Sequence, residues 1–286
     1  MRLSSVKLCA LCFESACSML RSERVDGAAH HIDDGVGMSA ERAVVVGVTG
    51  TLGGAAARKL MSRGIRVIGV ARDAERLDAL AAEHKLLTPC PADIADDSAI
   101  DTIAAAVDGP LRMIFMGAGL PVRGSAETAA PGDFATAINV KIGGLVRLLR
   151  ATGPQLGAGS RIVVLSGYHA TEPRPHEAMP GVINAALHNF VRQLSDLWGP
   201  REVTVHAISP GAIDSPRIRR IAETAAAERG VDLATQLESY TAEASLKKFV
   251  SVDAIAWAVG LLLDPEADAL HGSVLAMDGG RLRSIL

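Results

Sequence analysis

The chain has 286 residues, 49% of them hydrophobic and only 3% aromatic, with a formal charge of −3. Its length and apolar fraction suffice for a large buried core. The charge balance, with no Lys/Arg block, excludes nucleic acid as a primary partner, and no run is long enough to span a membrane.

The first 37 residues read differently from the rest. Val6–Leu20 is apolar behind Arg2 and Lys7, but Glu14 interrupts it and no small-x-small cleavage site follows. Residues 1–37 are expected to be a disordered leader, or an upstream extension from a mistaken start, without a function of their own. Cys9-x-x-Cys12 and Cys17 lie there without a second ligand pair at metal spacing, although His30 and His31 follow, and Cys90 stands alone. The expectation is free thiols in a cytoplasmic protein and no metal site.

After Met38 the pattern alternates. Val/Ile/Leu-rich runs predict strands at Ala43–Gly47, Arg66–Val70, Lys85–Thr88, Leu111–Met116, Arg161–Ser166, Thr204–Ile208 and Ser273–Met277. Ala- and Leu-rich segments between them predict helices near 54–63, 74–83, 97–107, 133–151, 181–198 and 252–263. With few aromatics, Ala, Val, Leu and Ile must fill the core, a mix suited to parallel strands covered on both sides. Residues 38–286 are therefore expected to form one α/β domain, a doubly wound parallel sheet of seven strands with helices on both faces. A helical insertion near 216–246, between strands six and seven, is the expected lid.

The first predicted strand runs into Gly47-Val48-Thr49-Gly50-Thr51-Leu52-Gly53 and then a helix. Glycines here allow a tight turn, close approach of backbone to a pyrophosphate, and helix–strand packing; free amides at the helix start then hold the anion. Strand, turn and helix together predict a dinucleotide site at Gly47, Thr49, Gly50, Thr51, Leu52 and Gly53. Arg72 follows the second strand and suits a ribose 2′-phosphate, which favours NADP(H) over NAD(H). Asp73 beside it reads as a helix N-cap.

These features, with others in the same order, resemble the short-chain dehydrogenase/reductase family from Val44 to Gly280, and the resemblance implies a Rossmann fold. Asp93-Ile94 resembles the family's adenine contact, and Gly117-Ala118-Gly119 resembles its Asn-Asn-Ala-Gly loop, with Met116 in place of the preceding asparagine. Asn139 matches its helix asparagine, which supports a bend and a water relay. Pro210-Gly211-Ala212-Ile213 resembles the loop over the nicotinamide, and Asp278-Gly279-Gly280 the usual ending. The implied cofactor contacts are thus Asp93, Ile94, Gly117, Ala118, Gly119, Pro210, Gly211 and Ile213.

The catalytic set departs from that pattern. The family's serine position reads Gly167, with Ser166 one residue early. Its tyrosine position reads Pro180, and its lysine position reads Asn184. A proline has no proton to give, and an amide can bond a ribose hydroxyl but carries no charge. Candidate substitutes are Tyr168, beside the serine position, and His169 and His176 on the loop 167–179, since imidazole is an acid near neutrality. With Asn139 and Asn184 these complete the candidate catalytic residues. His188, one turn past Asn184, either faces the same side or packs on a neighbouring subunit.

Three functions stay open. The first is an NADP(H)-dependent oxidoreductase acting on a small-molecule carbonyl or hydroxyl group with a non-standard proton donor. The second is a silent NADP(H)-binding sensor or partner subunit. The third is a lyase or isomerase on the same scaffold. The resemblance further implies a homodimer or homotetramer through the helices 133–151 and 181–198.

Overall fold

The computed structural model describes residues 41–119 and 124–284. The expectations for the first 37 residues, including Cys9, Cys12 and Cys17, lie outside the described residues. Seven parallel strands form one sheet: β1 (Arg42–Val46), β2 (Arg66–Ala71), β3 (Leu87–Pro91), β4 (Leu111–Met116), β5 (Leu156–Leu165), β6 (Thr204–Pro210) and β7 (Val274–Met277). Their order is β3-β2-β1-β4-β5-β6-β7, so the winding direction reverses between β1 and β4. The expected doubly wound α/β fold is the one observed.

Strand periodicity explains how the two faces are sealed. Successive side chains point to opposite sides, so Val44 and Val46 of β1 join one buried cluster while Ala43 and Val45 join the other. The first cluster packs beneath α3 (Ala99–Ala106), α5 (Gly144–Thr152) and α6 (Ala178–Trp198). The second packs beneath α1 (Thr51–Ser62), α2 (Ala74–Glu83) and α9 (Val252–Leu261). Burial on both faces is why the strands read as near-continuous apolar runs.

Element bounds shift by up to five residues, β5 beginning at Leu156 rather than Arg161, and two of the differences have a clear physical reason. The third strand runs Leu87–Pro91, two residues later than the sequence suggests, and carries Pro89 and Pro91. It is an edge strand paired only with β2, where prolines without a donor are tolerated. The single helix expected over 133–151 is instead α4 (Pro131–Ile138), one π turn (Asn139–Gly143) and α5. The expected insertion is helical, comprising α7 (Pro216–Arg229) and α8 (Leu233–Thr241). No helix among the described residues is long and apolar enough to cross a membrane.

His206 sits inside the sheet layer on β6, fully buried. Its Nδ1–H donates to the Leu270 carbonyl at 3.0 Å and its Nε2 accepts from the Thr204 hydroxyl at 2.8 Å. Burial drives its pKa down to about 4. The unfolded imidazole binds its proton near pH 6.5, so this group's contribution to stability is complete above that value and is lost as pH falls through about 4. Urea unfolding at pH 7 and pH 4.5 is expected to show a loss of stability smaller by ~2–3 kcal/mol in His206→Gln than in the parent chain. Equal losses would assign the acid sensitivity to other groups.

Candidate active site

The site is built where the winding reverses. β1 ends at Val46, and Gly47 turns the chain with φ +80° while its amide donates to the Val70 carbonyl at 2.8 Å. The Gly50 amide then donates to the Gly47 carbonyl at 2.9 Å, and α1 begins at Thr51. A Cβ on Gly53 would lie inside the van der Waals envelope of the Gly47 carbonyl, so only glycine lets α1 start so close to the strand. The N-cap Gly50 supplies no side-chain cap, which leaves the first amides of α1 facing outward, suited to an anion. At the end of β4, a Cβ on Gly117 would fall 2.8 Å from the Val46 carbonyl and 2.6 Å from the Phe115 ring.

On the β2 side of this turn, Asp73 caps α2, its Oδ1 accepting from the Arg76 amide at 3.0 Å. Arg72 is exposed beside it, and Arg76 donates through Nη2 to the Thr49 carbonyl at 2.8 Å. Arg76 thus joins the helix start to the glycine turn, a link that the sequence alone does not reveal. After β3, Asp93 is exposed and its Oδ1 accepts from the Ala95 amide at 3.0 Å, while Ile94 is buried.

On the other side lies a cavity of about 240 Å³. It is bounded by Leu52 and Gly119 from the cofactor turns, by Pro210–Ile213, and by Ser166, Gly167 and His169 after β5. Pro180 and Asn184, which the resemblance aligned with a tyrosine and a lysine, both line it. Asn184 is buried on α6 with its amide facing Gly167. A larger cavity of about 480 Å³ opens at the amino ends of β4 and β5; doubly wound sheets bind ligands at the carboxyl ends, so the smaller one is the candidate.

Three polar groups at this cavity were not singled out as site residues by sequence reasoning. Lys141 enters it from the π turn, almost fully buried, with Nζ donating to the Leu165 carbonyl at 2.8 Å. Burial, reinforced by the charge of Arg217, lowers its pKa to about 8. Arg217, from α7, lines the cavity and reaches over Gly119. Ser166 bonds His188 Nε2 at 2.8 Å, and burial lowers the His188 pKa below the usual imidazole value, so that ring is neutral at pH 7.

The remaining candidates are dispersed. Asn139 is exposed and ties the π turn to the loop after β3, its Nδ2 donating to the Ala95 carbonyl at 2.9 Å. Tyr168 lies under the Arg281 guanidinium at 4.3 Å and stacks on His169 at 4.0 Å between centroids. Arg281 also donates to Glu243 at 2.9 Å, Arg174 pairs with the same carboxylate, and the Arg283 amide donates to Glu172 at 2.7 Å. The loop after β5 is thus fastened to the last described residues. His176 is exposed on it.

Residues 47–281 match the family model described as enoyl-(acyl carrier protein) reductase. The chain belongs to the short-chain dehydrogenase/reductase family. Its relatives in this family include galactitol 2-dehydrogenase of Rhizobium johnstonii, 26% identical over 255 residues, covering 85% of this chain and 95% of that protein. Among solved structures, L-sorbose reductase of Gluconobacter frateurii complexed with NADPH and L-sorbose superposes with a TM-score of 0.79 at 25% identity, over 87% of this chain and 99% of the other. A short chain dehydrogenase from Burkholderia cenocepacia J2315 in complex with NADP gives 0.73 at 26% identity, over 84% and 97%.

A methyl group at Gly53 tests the helix–strand approach on which this family's turn depends. Gly53→Ala is expected to destabilise the fold by ~1–3 kcal/mol and to weaken dinucleotide binding at least ~10-fold, read by thermal unfolding and fluorescence titration. Gly132→Ala, where an added Cβ meets nothing within 4 Å, is the matched control and should change neither.

Proposed function

We propose that this chain binds NADP(H) and reduces a carbonyl group of a small molecule, using an acid other than a phenol. The observation that carries the reading is the uncapped amino end of α1, held by the Gly47–Gly53 approach beside a cavity that Lys141, Ser166, Asn184 and Arg217 help to line. The residues present fit the dinucleotide. Amides of Thr49–Gly53 would hold the pyrophosphate and Asp93 and Ile94 the adenine. Gly117–Gly119, Pro210, Gly211 and Ile213 would border the nicotinamide, and the Asn184 amide would bond its ribose. When bound, the nicotinamide would supply the hydride.

Two arginines at the β2 end support the phosphorylated cofactor. Arg72 and Arg76 flank the point that a 2′-phosphate would reach, and Asp73, the acid next to Arg72, is spent on capping α2. The NADPH and NADP complexes among the structural relatives support the same choice. His169 and Ser166 would contact the substrate from the cavity wall. α7 and α8 would form its lid, and Asn139 would stabilise the π turn rather than touch substrate. The exposed Ile138, Val182 and Leu197 on α4 and α6 suit a homodimer or homotetramer packed through these helices. Pro180 in the tyrosine slot favours a second reading, dinucleotide binding without turnover.

Titration with NADPH and NADH, followed by a panel of small carbonyl compounds, tests both. NADPH is expected to bind more tightly and to be oxidised only when a substrate is present; binding without oxidation would favour the second reading. Replacing Arg72 by Gln should weaken NADPH ~10-fold, the loss of a charge-assisted bond to a phosphate. NADH affinity should stay within ~2-fold of the parent value.

A further inference from the structure

We infer that Lys141 is the proton donor of this site, delivering to the substrate oxygen the proton that no tyrosine is placed to give. The assignment rests on the reductase reading above and deepens it. Its basis is where the lysine sits. Lys141 belongs to the π turn Asn139–Gly143, a rare insertion that interrupts the helix between α4 and α5. Its side chain is 5% exposed, and its ammonium group lies against the Leu165 carbonyl at the tip of β5, one residue before Ser166. It lines the same cavity as Asn184, Ser166 and Gly119. An ammonium has three N–H bonds, and Leu165 takes one, so the group keeps donors for a ligand.

Burying a cation without a counter-charge is costly, and among the described residues no Asp or Glu lines this cavity. The charged and titratable groups described beside Lys141 at the cavity are Arg217 from α7 and His169 from the turn after β5, with His188 behind Ser166 on α6. What relieves such a group is an oxygen that gains negative charge. Burial and Arg217 together also bring the lysine to about 8, where it is mostly protonated at neutral pH yet a stronger acid than a solvated lysine.

The step balances as follows. A bound reduced nicotinamide would supply a hydride to the carbonyl carbon, and the C=O π pair would move onto oxygen. One N–H bond of Lys141 breaks, its electron pair stays on nitrogen, and an O–H bond forms. The neutral amine is then reprotonated from solvent. With the His188 proton on Nε2 and donated to the Ser166 oxygen, the serine O–H would be left to donate a second hydrogen bond to the same oxygen. The other candidates are less suited, since Tyr168 is engaged with Arg281 and His176 is exposed.

Lys141→Met, close in length and apolar, is expected to bind NADPH within ~2-fold of the parent by fluorescence titration and to lose ~100-fold or more in kcat. Lys141→Arg, whose proton does not leave near neutrality, should lose kcat similarly. The parent rate of reduction should fall as pH rises through about 8, and that limb should vanish in Lys141→Met but persist in His169→Gln. NMR of lysine-labelled protein without ligand should show one lysine titrating near that pH, absent from Lys141→Met. Ethylammonium added to Lys141→Ala should restore part of the rate, which a purely structural lysine would not permit. Turnover undiminished in Lys141→Met, or a limb that follows His169 instead, overturns this assignment alone. NADPH binding by the parent with no turnover on any carbonyl overturns the reductase reading, and this assignment with it.

Discussion

A missing methyl group at Gly53 holds this architecture in place. The hydrogen there lets α1 begin in contact with the Gly47 carbonyl, so the first amides of the helix open at the end of β1 instead of a side chain's length away. The neighbouring strand repeats the device, since Gly117 leaves the end of β4 equally bare against Val46. Two bare strand ends at the point where the sheet reverses its winding leave a crevice between them. Both buried clusters then serve to keep those ends fixed, because every strand that reaches the crevice is locked on both faces.

The fold was legible because its signals are local. Strands buried on both faces leave apolar runs, the glycine spacing marks the turn, and Asp73 could be assigned as a cap from its place before α2. The third strand was misjudged by two residues because its prolines suggest a break, and only its edge position makes them acceptable. The π turn was hidden, since a change in backbone ladder over Asn139–Gly143 leaves no mark on apolar periodicity. Lys141 was hidden for a related reason: flanked by Val140 and Ile142 it reads as a surface lysine on a helix, and its burial depends on Leu165, far away in sequence.

At the reactive end the charges are unusual for a buried cavity. Among the described residues two cations line it and no carboxylate does, an arrangement that favours a bound state carrying more negative charge. Beside them Ser166 and His188 form a neutral hydrogen-bonded pair. Sequence reasoning considered Ser166 and His188 separately, one as a shifted serine and the other as facing the site or a subunit interface. The 2.8 Å contact that joins them spans β5 and α6 and could not be inferred from either alone.

Glu243 is where two fastenings meet. One carboxylate holds Arg174 of the loop after β5 and Arg281 of the tail, and Arg281 in turn covers Tyr168. A second tie, from the Arg283 amide to Glu172, joins the same loop to the same tail. Removing the Glu243 charge would free both arginines at once and leave that second tie in place. The fastening that Glu243 carries weakens with salt, because its charges are partly exposed.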